Sequence, residues 1–183
     1  MKVNVTKIGA ARSQLIEAIN LFFEERDPVS IHTLVGASIQ ILNDHITDIG
    51  DVWDNNLIHH YNTIYINDDS RKIWNSKINE AKNFFKHADR DLREGKISIE
   101  FETDLNNFSI FEAIRCLKVV EGEDYVFSIE FSTFIAWLCL KYPNLLKAGD
   151  DSFLKMPGAE DFSVMRLKDW GELIRLAKRN AIS

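Results

Sequence analysis

Nine consecutive residues, Asn83-Phe84-Phe85-Lys86-His87-Ala88-Asp89-Arg90-Asp91, hold a histidine, two carboxylates and two strong bases beside two phenylalanines. On a helix, Asn83, His87 and Asp91 fall at successive four-residue steps and line one face. Asp91 would then hold one imidazole nitrogen and leave the other to Asn83 or to a ligand, which is how general bases and metal-binding histidines are oriented. Lys86 and Arg90 form a neighbouring row suited to an anion, and Asp89 adds a further carboxylate. The same residues have a plainer reading. Phe85, Ala88 and Leu92 bury one face, and the charges are its solvated side, paired along the helix. Exposed pairs of this kind contribute only about 0.2–0.5 kcal/mol each, so stability alone does not call for this density of charge.

His32 is the second focus. In Pro28-Val29-Ser30-Ile31-His32-Thr33-Leu34 it falls in the second turn of a helix. The positive end of the helix dipole disfavours imidazolium there, and a neutral ring is what a base or a metal ligand needs. The alternative is a core-edge histidine hydrogen-bonded to the backbone. These residues nominate a binding set of His32, Asn83, Lys86, His87, Asp89, Arg90 and Asp91, with Arg26, His32 and His87 as candidates for catalysis. The composite site requires His32 and His87 to meet; on opposite faces they would form none.

Other chemistry is poorly represented. No Glu lies three residues before any of the 5 histidines, and His-Glu-x-x-His is absent, so the metal pairs of helical bundles are missing. His59-His60 are adjacent and point about 100° apart on a helix, a poor chelate; Asp44-His45 shares the limitation. No metal and no cofactor are expected. Glycine-rich phosphate loops and Gly-x-Ser-x-Gly are absent. Cys116 and Cys139 sit in apolar helical patterns and read as buried reduced thiols. Glu130 interrupts an apolar helix and needs a partner, for which Arg115 or Lys118 is the expected source.

The elements that must position these groups are helical. With 3 Pro and 8 Gly in 183 residues, breakers are few and long helices are favoured. Ile8, Ala11, Leu15, Ala18, Ile19 and Phe22 set a helix from about 7 to 25, with Thr6 as N-cap. Asp27-Pro28 reads as N-cap and first helical residue, opening a helix to about Asp48 that Gly50 ends. Its Gly36-Ala37-Ser38 leaves room for a neighbouring helix. Residues 51–67 are ambiguous between a short helix over 57–66 and a strand at Thr63-Ile64-Tyr65-Ile66. Trp74, Ile78, Ala81, Phe85, Ala88 and Leu92 set a helix from about 71 to 92, stopped by Gly95. Residues 96–102 alternate polar and apolar, the period of a half-buried strand, or of an extended connector if no partner strand exists. Asp104 opens a helix to Glu121, Asp124 one to Tyr142, and Ala159 or Glu160 one to about Asn180. The expected fold class is all-α: a compact single-domain bundle of six or seven helices spanning 1–183, with one short extended segment near 96–102.

Composition narrows the partners. The chain is 45% hydrophobic and 27% charged, with a net charge of −6, which disfavours a nucleic-acid coat or an anionic membrane surface. The N-terminus lacks the apolar core of a signal peptide. The apolar run 125–140 is short of the roughly 20 residues a bilayer span needs and contains Glu130. A cytoplasmic, self-associating protein with a small anionic or polar ligand is the expectation, with no membrane partner and nucleic acid disfavoured.

Two resemblances add to this reading. Ala11-Arg12-x-Gln14-Leu15-x-x-Ala18-Ile19, Asp27-Pro28-Val29-Ser30-Ile31-His32-Thr33-Leu34 and Asn83-Phe84-Phe85-Lys86-His87-Ala88-Asp89 together resemble a family of small uncharacterised bacterial helical proteins. That family implies no mechanism, but it singles out the same blocks as the chemistry. Arg26-Asp27-Pro28-Val29-Ser30-Ile31-His32 is similar to the Arg-polar-x4-His pattern of HEPN domains. These are helical bundles, often homodimers, and many are metal-independent ribonucleases. The resemblance implies that Arg26 and His32 act at a scissile phosphate. A metal-dependent enzyme within a helical bundle is the remaining alternative.

Overall fold

The structure, a computed structural model, describes residues 2–48, 68–86, 95, 97–122, 124–142, 162 and 164–181. Six helices are present among them: α1 (Lys7–Phe23), α2 (Pro28–Asp48), α3 (Asp68–Lys86), α4 (Leu105–Glu121), α5 (Ile129–Lys141) and α6 (Leu167–Asn180). The all-α expectation holds, and no strand occurs among the described residues. The expectations for 49–67 and for a helix reaching Leu92 lie outside them.

The first two helices begin where local chemistry dictates. Thr6 Oγ1 accepts the Gly9 N–H at 3.0 Å, satisfying one of the orphan donors of α1. Asp27 accepts the Ser30 N–H at 2.9 Å and the Val29 N–H at 3.3 Å at the head of α2, with Pro28 as first helical residue. Between them, Arg26 N–H reaches Leu21 O at 2.9 Å and Glu25 N–H reaches Phe22 O at 3.0 Å, the two bonds of a Schellman closure. It forces Glu25 into the left-handed region, φ 54°, where glycine is the usual occupant.

One core gathers five helices. Leu15, Ile19 and Phe23 of α1 meet Val35 and Leu42 of α2, Ile110 and Ile114 of α4, Phe131 and Phe134 of α5, and Trp170 and Ile174 of α6. Small residues allow close approach, as the 36–38 run predicts. Ser38 Oγ donates to Ala11 O at 3.0 Å, tying α2 to α1. A Cβ built on Gly171 would lie 3.3 Å from Phe23 Cβ, so α6 rides tightly on α1. Helix α3 stands apart. Among the described residues it packs mainly on α2, α4 and the 97–102 connector, and its buried Ala81 is not part of the shared core.

Three expected elements differ in detail. Residues 97–102 form no paired strand; they run as a connector without turn or bend. The apolar helix opens at Ile129 rather than after Asp124. Residues 125–128 are held outside it: Lys118 Nζ donates to Tyr125 O at 2.8 Å and the Arg12 guanidinium lies 5.7 Å from the Tyr125 ring centroid. The last helix begins at Leu167, where Asp169 accepts from the Arg166 backbone and side chain at 3.0 and 3.1 Å. That capping box sets the start several residues after Ala159 or Glu160.

Candidate functional site

His32 is 2% exposed, enclosed where α2, α3, α4 and the 97–102 connector meet. Asn106, also 2% exposed in the first turn of α4, faces it, with Oδ1 3.0 Å from His32 Nδ1. The Asn106 amide nitrogen donates to Pro28 O at 3.0 Å. A backbone carbonyl can only accept, so the amide orientation is determined and Oδ1 must be the atom facing the ring. His32 therefore donates from Nδ1, which leaves Nε2 with a bare lone pair. That atom is buried and makes no hydrogen bond, although the Ile78 carbonyl lies close to the ring.

Two phenylalanines close the imidazole in. Phe101 stands edge-on at 5.0 Å between centroids and Phe85 at 5.8 Å, with 5.4 Å between the two phenylalanines. Burial holds the imidazole below its ordinary 6.5, and the Lys82 and Lys86 ammonium groups add to this. Asn106 and the Ile78 carbonyl pull the other way and are outweighed. Lys82 is itself lowered by burial and by Lys86, and it donates to Gln40 at 2.9 Å. His32 is thus a neutral Nδ1–H tautomer, the state the second-turn position favours.

A groove of about 420 Å³ opens on the outer side of this cluster, within the range of about 300–1,000 Å³ usual for ligand sites. Lys77, Glu80 and Ala81 of α3 form one wall. Residues 98–102 form the other, and Leu105 heads α4 at its end. Phe101 belongs to both places: it lines the groove and packs on His32. Lys77 and Glu102 form an ion pair across the groove.

The nominated residues separate. His32 is interior. Asn83 and Lys86 are exposed on α3, and Lys86 is near enough for its charge to act on His32. The Phe85 contact brings α3 against the start of α2 at His32. His87, Asp89, Arg90 and Asp91 lie outside the described residues. Arg26 is exposed on the Schellman closure, and no hydrogen bond or ion pair among the described residues joins it to His32. Asn106 and Phe101 were not nominated. Two poor helix formers, Asn106 and Asn107, opening a helix are the signal that would have drawn attention to the first.

The remaining reactive groups are quieter. Glu130, 3% exposed, pairs with Lys178 of α6 rather than with Arg115 or Lys118. Burial pushes its carboxyl up, but Lys178 together with the Glu130 N–H and Ser128 outweighs that, and the net shift is down. Glu112 is raised by burial to about 7 despite Arg115 nearby. Its Oε1 lies 4.0 Å from Cys116 Sγ, which lies 3.6 Å from Asn43 Oδ1. Burial and the Glu112 charge push the Cys116 thiol up, so it is no nucleophile. Cys116 is buried and Cys139 half-buried, and no disulfide joins them. Among the described residues, no group of three His, Cys, Asp or Glu is arranged to hold a metal, and no helix is long and apolar enough to cross a membrane. His59 and His60 lie outside them. No protein-family model, curated protein or solved structure matches this chain.

Proposed function

We propose that this chain is a ligand-binding or regulatory module whose ligand occupies the groove between α3 and the 97–105 segment. The observation that carries the reading is the double role of Phe101, which lines the groove on one side and covers the neutral His32–Asn106 pair on the other. Anything that moves Phe101 disturbs the packing of α3 on α2 and α4, so occupancy and helix docking are coupled. The lining holds Glu80, Glu100 and Glu102 against Lys77. With Lys77 paired to Glu102, the lining suits a polar ligand.

The test is a fragment screen followed by amide resonances of the isotope-labelled full chain. Binders are expected to shift residues 77–81 and 98–105 together and to raise the melting temperature. Ser98→Trp, which narrows the groove at an exposed position, is expected to abolish those shifts. Binders that perturb another surface, or none at all, would remove the proposal. The ribonuclease implied by the HEPN resemblance would need His32 to reach a phosphate from behind Phe101 and Phe85. RNA cleavage by the wild type that is lost in His32→Ala would favour it over the binding module.

A further inference from the structure

We infer that His32 is a proton-operated latch for α3: the neutral imidazole lets α3 dock, and a proton on Nε2 releases α3 while the other five helices stay packed. The inference goes beyond the binding-module reading and does not depend on what fills the groove. It starts from hydrogen-bond geometry. His32 and Asn106 are each 2% exposed. The Asn106 amide is oriented by Pro28 O, so Nδ1 already carries the ring's proton and donates it to Oδ1. A second proton has only Nε2 to go to. That atom is buried and has no hydrogen-bond partner. An imidazolium there is a charge taken out of water with one of its two donors unmet, which is costly. Phe101 and Phe85 stand edge-on against the ring at 5.0 and 5.8 Å, so water reaches Nε2 only when its cover moves.

The cover that can move is α3. It supplies Phe85, the Ile78 carbonyl beside the ring, and the Lys82 and Lys86 ammonium groups that repel an imidazolium. Lys82 is held against α2 by Gln40, which accepts from it at 2.9 Å and donates to Asp44 at 2.7 Å. The carboxylates of the elements that enclose the ring have roles of their own. Asp27 at the head of α2 accepts from Ser30, and Asp44 acts on Lys82. Glu102 of the connector pairs with Lys77, and Asp104 at the head of α4 accepts from Asn107. Glu80 and Glu100 line the groove. Among the described residues, no α3 side chain belongs to the core that the other five helices share. A charge on His32 therefore strains the one interface that this core does not secure. Once α3 leaves, both ammonium groups leave with it, Nε2 meets water, and the ring titrates near its ordinary 6.5; docked, it titrates lower. Docking is thus at full strength above about 6.5 and is lost as the pH falls from there toward the docked value.

The experiment follows the full chain by NMR from about pH 7.5 to about pH 5.5. It reads the His32 imidazole nitrogens, and amide exchange corrected for its intrinsic pH dependence. At the upper pH the ring is expected to show a protonated Nδ1 and a bare Nε2. Across the range the opening constant of residues 76–86 is expected to rise about tenfold, the limit for one proton taken up by a released ring of ordinary affinity. The α3 amide resonances are expected to move with the ring. At the lower pH, residues 15–23 and 110–117 are expected to stay roughly tenfold or more better protected than α3. In His32→Gln, which keeps a donor for Asn106 and takes up no proton, α3 opening is expected to change little with pH. A ring that gains its proton while the α3 amides stay in place would overturn the latch. So would an α3 opening constant that ignores pH, α3 and core amides that open together at the lower pH, or an equal rise in wild type and His32→Gln. The first three of these are read on the wild type and decide the question even if the variant fails to fold.

Discussion

At the scale of single residues, the burial of His32 has consequences that can be measured. Asn106 serves two buried partners, the Nδ1–H of His32 and the carbonyl of Pro28. Removing it in Asn106→Ala strands both, at a cost of about 1–3 kcal/mol, to be read from urea denaturation. The pH dependence follows from the direction of each shift. His32 binds its proton less readily folded than unfolded. Its contribution is therefore fully present above the unfolded value near 6.5 and is lost as the pH falls below it. Stability measured from pH 7.5 down to 5 should decline in the wild type and decline less in His32→Gln. Glu112 acts in the opposite sense. Its carboxyl rises from 4.5 to about 7, so it favours the fold at low pH, and that advantage is lost as the pH rises through 7. Glu112→Gln should therefore stabilise at pH 8, on the order of 2–3 kcal/mol, and change little at pH 4.5. A chemical-denaturation series at the two pH values checks this.

At the scale of elements, α3 is the part held most lightly. Five helices share one core, whereas α3 is fastened by Phe85 on His32 and Phe101, by Lys82 on Gln40 and by the Lys77–Glu102 pair. Exposed ion pairs contribute roughly 0–1 kcal/mol, so the aromatic contacts carry most of the docking. Segments with few buried apolar contacts open at lower free energy than the whole molecule. Hydrogen exchange should show residues 76–86 exchanging well before 15–23 and 110–117. Phe101→Ala should speed exchange in α3 while leaving α1 unchanged. Equal protection across all helices would mean that α3 unfolds only with the core. The connector was legible as an alternating stretch, since a period of two is written in side-chain order. That it would find no partner strand was not legible, because pairing depends on what else the fold brings alongside.

At the scale of the whole molecule, aromatic rings in the interior pack edge to face. Phe22 and Trp137 lie 4.8 Å apart between centroids, and Phe134 lies 5.4 Å from Phe22. Phe134 is fully buried in the core shared by α1, α2, α4, α5 and α6. Phe134→Ala should cost about 3–5 kcal/mol, through one cooperative transition that lowers the protection of those five helices together. Glu130 belongs to the same scale, because its ion pair joins α5 to α6. Lys178→Met leaves a buried carboxylate unpaired, whereas replacing both partners by Glu130→Gln and Lys178→Met restores most of the loss; thermal melts of the three variants measure the coupling.

Local order is what the amino-acid sequence determined by itself. Thr6 and Asp27-Pro28 mark helix boundaries because capping and φ preference act between neighbours in the chain. The apolar stripe of α1 names its buried face because helical periodicity is local too. What only the tertiary structure decided is company. The neutral state of His32 belongs here, since burial among α3, α4 and the 97–102 connector is the main cause of its lowered pKa. Asn106 comes to His32 across 74 residues, Lys178 to Glu130 across 48 positions of chain, and Phe101 links the buried imidazole to an open groove. Partners so distant in sequence are chosen by how helices pack, and a buried polar group must accept whichever donor or acceptor that packing delivers.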